Sequence, residues 1–171
     1  MSKVLPLFPI PIYISEKYSL VEEEINVCKS FYKNVTKNVG GNHSSKETYV
    51  LKQCKELNKL KEFIKKHLDK YWHDTLLIDA DSKLRITQSW INFNEKNTAH
   101  HIHSHSNSII SGVFYIENST PLVFEKAPLN SLVSSAFKFN YKGFNQFNCQ
   151  TMNLDVKQEQ LVLFPSNLLH H

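Results

Sequence analysis

Two hydrophobic periods divide the chain. In its first part, apolar residues return at Val21, Ile25, Cys28 and Phe31/Tyr32, the three-to-four step of one helix face. Ser19 stands three residues before Glu22, the spacing of a capping box, and sets the predicted start of that helix. A second helix is predicted from the stripe Leu57, Leu60, Phe63/Ile64, Leu68 and Tyr71, with Lys55, Glu56, Lys59, Lys65 and Lys66 on the solvated face. Residues 5–14 precede both as an extended segment, because Pro6, Pro9 and Pro11 lack the amides a helix needs. Between the helices NVGGNHSS (38–45) reads as a loop, with Gly40 and Gly41 available for positive φ.

From about Leu84 the period becomes two. Leu84, Ile86, Gln88, Trp90 and Asn92 alternate with Arg85, Thr87, Ser89, Ile91 and Phe93. Short β-rich runs follow at 109–116, 122–124, 137–140, 152–156 and 160–164, separated by Asn, Ser, Pro and Gly. The predicted fold is mainly β with N-terminal helices (α+β), in one domain: about 1–80 as helical support and about 81–171 as β core. Trp90 and Phe93 are expected in that core. Loops 126–135 and 141–150 are expected to shape any pocket, since specificity usually resides in connections.

Composition narrows the classes. At 171 residues, 41% apolar and 12% aromatic, the chain can bury one core, and 4 Gly with 6 Pro exclude a fibrous or disordered protein. The net charge of +4 comes without a basic stripe, so no nucleic-acid partner is predicted. Only one of the 20 basic residues is an arginine, Arg85. Cys28, Cys54 and Cys149 are odd in number and widely spaced, which reads as free thiols of a reducing compartment. No run approaches the roughly 18–20 apolar residues needed to span a bilayer. A cytoplasmic location and no membrane partner are the expectation.

The histidines carry the chemistry. Six of the nine fall in two places: His100, His101, His103 and His105, then His170 and His171. Residues i and i+2 of a strand share a face, so His103 and His105, or equally His101 and His103, can present two imidazoles to one metal ion. A third from a distant strand completes a triangular face and leaves positions open, the layout of non-haem iron sites. His170 follows LVLFPS, a strand running into a turn that can aim an imidazole at such a site. His43, His67 and His73 read as loop or helix-surface residues. Ser111-Gly112 reads as close packing in a strand, with no nucleophile role. Asn107 and Ser108 are either orienting groups or turn formers.

The string ITQSWINFNEKNTAHHIHSHSNSIISGVFYI, followed by LVLFPSNLLHH, resembles a family of 2-oxoglutarate- and Fe(II)-dependent oxygenases found in bacteria and in viruses of marine bacteria. LFPIPIYIS and GNHSSKETYVL carry the same likeness, so it spans most of the chain. The resemblance implies a double-stranded β-helix, a cupin-like jelly-roll barrel. It implies the cofactors Fe(II) and 2-oxoglutarate, and hydroxylation of a small-molecule or protein substrate with release of succinate and CO2. His103 takes the first position of the family's HxD or HxE motif, His105 the acidic position and His170 the distal one. The arginine that grips the far carboxylate of 2-oxoglutarate lies, in such barrels, on the strand after the distal histidine. It is therefore expected beyond His171, on a last strand this sequence lacks. Within the sequence, Asn92, Asn107 and Ser111 are the candidates for cofactor contacts. If Trp90 and Asn92 point inward, Arg85 points away from the iron.

His105 in the acidic position makes the implied site three neutral imidazoles and opens two rival readings. One is a cupin-like three-histidine dioxygenase without 2-oxoglutarate, although its usual glutamate four or five residues after HxH is here Ile109 or Ile110. The other is a non-catalytic viral or accessory β-barrel.

Overall fold

The computed structural model of the chain describes residues 2–117, 120–127 and 140–171. The predicted strand 137–140, apart from Asn140, and most of the loop 126–135 lie outside the described residues.

The helices form where the three-to-four stripes predict them. Helix α1 (Glu22–Ser30) buries Cys28, and its start differs from the predicted box by two residues: Glu24 reaches back to the Val21 amide (3.1 Å) while accepting from the Tyr18 hydroxyl (2.8 Å). A short helix α2 (Val50–Gln53) leads into α3 (Asn58–Asp69), which continues through a π turn at Lys70–Thr75. Its apolar stripe packs inward at Leu60, Leu68 and Tyr71. His67 lies on that buried side and is wholly covered, contrary to the surface placement expected from sequence.

Nine strands are seen among the described residues: β1 (Tyr13–Ile14), β2 (Val35–Lys37), β3 (His43–Ser45), β4 (Asn92–Phe93), β5 (Ile110–Phe114), β6 (Leu122–Glu125), β7 (Thr151–Leu154), β8 (Leu161–Pro165) and β9 (Leu169–His170). They form three antiparallel sheets, ordered β1-β8-β5, β2-β3-β4 and β7-β6-β9. No sheet among the described residues closes into a barrel. The predicted loop 38–45 is the turn and second strand of a hairpin, with Gly41 at φ +87°. The alternation at 84–93 yields only β4 as regular strand. Upstream of it Ser89 and Ile91 trade backbone bonds with Thr48, Val50 and Ser45, too irregularly for a continuous ladder.

β8 organises the core. Leu161 and Leu163 face Leu68 and Tyr71 of the helical layer, while Val162 and Phe164 face Leu122 and Phe124 of β6. All four are buried, which explains why LVLF reads as an unbroken apolar run: both faces of the strand are covered. Each such side chain contributes about 1.5–3 kcal/mol of burial. A third cluster, with Cys28, Val50, Leu57, Leu60 and Ile91, seats α1 and α3 on the chain leading to β4. No helix among the described residues is long and apolar enough to cross a membrane. All three cysteines are free.

Candidate metal centre

β8 runs out at Pro165 into a tight turn, closed by the Leu168 amide donating to the Pro165 carbonyl (3.1 Å), and the chain returns as β9. That turn brings His170 beside the histidine-rich loop that precedes β5. His103 and His170 form an antiparallel bridge, each amide donating to the other's carbonyl at 3.0 and 2.9 Å. The His105 amide donates to the Ser166 carbonyl (2.8 Å), and the Ser166 amide to Ile109 (3.0 Å). Residues 103–105 therefore lie along 166–170 as an irregular ladder, and both arms are held by backbone.

One ring nitrogen from each of His103, His105 and His170 lies within 4.8 Å of the other two. Ring centroids are 4.4 Å apart for His103–His170, 5.0 Å for His103–His105 and 5.3 Å for His105–His170. Closing on an ion at about 2.1 Å asks the rings to draw together by about an ångström, within reach of side-chain rotation. His103 Nδ1 lies 2.8 Å from the His101 carbonyl, and His170 Nδ1 2.8 Å from the Leu168 carbonyl. A carbonyl only accepts, so each Nδ1 carries the proton and each Nε2 keeps its lone pair. That second contact also fixes the ring's orientation, as in metal-ligating histidines generally.

Electrostatics favour the same state. Burial pushes the His170 pKa down to about 4, opposed by the Leu168 carbonyl and assisted by His103, His105 and His100. His105 is lowered by burial and then by His103. Neutral imidazoles are the form that binds metal, and an imidazole set suits Fe(II) among other divalent transition ions. The donor set thus fits an iron ion.

The other candidates fall into different places. His101 is exposed and offers its carbonyl to His103, so the cluster is completed by His105. Asn92 Oδ1 accepts from Ser44 (2.7 Å), and Ser111 pairs with the buried Ser166 through their hydroxyls (2.8 Å). Asn107 sits in the turn after His105. Arg85 is exposed and makes no ion pair among the described residues. Gly112 packs under β8, where a Cβ would lie 2.7 Å from a Leu163 methyl.

Trp90 is not in the core: it is 41% exposed, with its ring 5.8 Å from that of His105. Alternation put Trp90 opposite Ile91, and it is Ile91 that is buried. Sequence reasoning also missed Ser166, whose only signal is its place between LVLFP and the distal histidines.

Residues 88–171, which hold every member of the cluster, match the family described as "Putative 2OG-Fe(II) oxygenase". That segment is similar to the 2OG-Fe(II) oxygenase family. A search of curated proteins finds no match. The oxygenase family implies Fe(II) and 2-oxoglutarate as cofactors and an oxidoreductase activity, and the three-histidine cluster fits the iron.

Proposed function

We propose that this chain is a non-haem Fe(II)- and 2-oxoglutarate-dependent dioxygenase that hydroxylates its substrate with release of succinate and CO2. The observation that carries the reading is the convergence of His103, His105 and His170 within a segment that matches the oxygenase family. In this reading Nε2 of His103 and of His170 and one ring nitrogen of His105 would hold the iron, which when bound with 2-oxoglutarate supplies the oxygen activation. The protein's own part is to keep His105 and His170 neutral by burial and to orient the His103 and His170 rings through the carbonyls of His101 and Leu168. Sheets β1-β8-β5 and β7-β6-β9, meeting across β8, serve as two walls of a jelly roll, with the helices packed outside.

The test is anaerobic addition of Fe(II) followed by titration with 2-oxoglutarate. A saturable visible charge-transfer band, lost in His103→Ala, is the expected result. Tight iron binding without any band favours a second reading, a three-histidine dioxygenase that needs no 2-oxoglutarate. The observation behind that alternative is His105 itself, an imidazole where the family motif has a carboxylate. Neither band nor tight iron overturns both and leaves a non-catalytic barrel.

A further inference from the structure

Asn42 lies outside the matched segment, at the start of the returning arm of the β2–β3 hairpin, yet it is wholly buried. Its Nδ2 lies 3.2 Å from both ring nitrogens of His100. His100 Nε2 is also 2.9 Å from Asn94 Oδ1, an atom that can only accept. Nε2 therefore carries the proton, and the lone pair on Nδ1 is the one the Asn42 amide satisfies. Asn42 Oδ1 has no partner among the described residues. A buried amide with one end unmet costs stability that an apolar side chain of similar size would not, so its donor end has a use.

The hairpin also presses directly on the histidine loop. The Ala99 amide donates to the Gly40 carbonyl (3.0 Å), and Gly41 bridges Ala99. A Cβ at Gly40 would sit 1.7 Å from the Ala99 carbonyl oxygen, so only glycine permits the approach. Ala99 and His100 are thereby fixed just before His101, whose carbonyl orients the His103 ring.

We infer that Asn42 is a positioning residue for the metal centre: its buried amide, together with Asn94 Oδ1, holds His100 as the Nε2–H tautomer, keeps that imidazole out of the ligand set, and helps the hairpin fix the loop that aims His103. The inference rests on the metal reading proposed above. It gives the first of the four clustered histidines a task of its own, as an anchor engaged at both nitrogens.

Two measurements test it. In the metal-free protein, ring 15N shifts should show His100 as the Nε2–H tautomer, and Asn42→Ala should convert it to an exchanging mixture. In competition titrations, Asn42→Ala should weaken Co(II) binding about tenfold and alter its visible ligand-field spectrum, the size seen when outer partners of ligands are lost. Ser45→Ala is the control: it removes a buried hairpin hydroxyl bonded to the Ile91 amide (3.1 Å), and should lower the melting temperature while leaving Co(II) affinity within about twofold. Should Asn42→Ala not fold, His100→Ala carries the same expectation, about a tenfold loss. The double variant should be no weaker than either single.

An unchanged tautomer, or wild-type Co(II) affinity in Asn42→Ala, overturns the inference alone. So does a loss in His100→Ala as complete as in His103→Ala, since His100 would then be a ligand. A wild-type chain that holds no Co(II) overturns the metal reading and this inference together.

Discussion

His103 and His170 are tied to each other through both backbone amides, so two corners of the cluster are set by one backbone pair and the third, His105, by a separate bond to Ser166. In His103→Ala or His170→Ala the backbone bonds survive, and only the imidazole is lost. Each of these variants, and His105→Ala, should lower Fe(II) or Co(II) affinity more than about 100-fold, because two imidazoles do not make a tight site. His105→Asp should retain tight binding, since a carboxylate is a competent iron ligand at that corner. Wild-type affinity in all three alanine variants, read by competition with a chelating dye, would remove the assignment.

Trp90 gives that site an internal reporter. The chain has two tryptophans, and Trp90 is the one against His105. Co(II) at the cluster should quench part of the intrinsic fluorescence with the same saturation curve as the competition titration. Trp90→Phe should abolish the metal-dependent part and leave the Trp72 emission. Quenching that persists in Trp90→Phe would place the ion elsewhere.

Stability of the metal-free protein should fall as pH drops below about 6.5, the ordinary histidine pKa. His170 has its folded pKa lowered to about 4 by burial, and His67 is lowered first by burial, with Glu16 opposing. Both groups therefore take up protons in the unfolded chain before the folded one, and stability is lost on descending through that window. For His170 the loss between 6.5 and about 4 is on the order of 3 kcal/mol. The Tyr13 hydroxyl lies 2.6 Å from His67 Nδ1, and its oxygen must act as the acceptor once that nitrogen carries a proton. Urea midpoints measured from pH 7.5 to 5 should decline, and less steeply in His67→Gln. A flat profile would contradict both assignments.

Phe164→Ala should cost about 3–5 kcal/mol, the range for emptying a buried phenylalanine site. The ring is fully buried, stacks edge-on to Phe124 at 5.2 Å and lies 4.8 Å from His170. Denaturant midpoints give the stability loss, and the same variant should weaken metal binding because His170 loses a wall. Phe164→Leu should recover most of both.

Much of the scaffold was legible in the chain. The stripe from Leu57 to Tyr71 and the apolar LVLF run each have one physical solution, a half-buried helix and a strand covered on both faces. The cluster was half legible. Spacing placed two imidazoles together but left His101 and His105 equivalent, because side-chain direction in an irregular loop depends on backbone bonds to Ser166 and His170 far along the chain. Trp90 was misread for a related reason: a period of two says that neighbours face opposite ways, but not which face is covered. Asn42 gave no local signal, since its partner His100 is a tertiary contact.

The three imidazoles stand on supports of unequal burial. His170 follows β8, the most completely water-excluded strand among the described residues, after a single tight turn. His103 and His105 ride on a loop whose own side chains are largely exposed. Such a site has one corner set against the core and two at its rim, joined by backbone bonds. Solvent therefore reaches the three rings from the 103–105 side, while the side toward β8 stays covered.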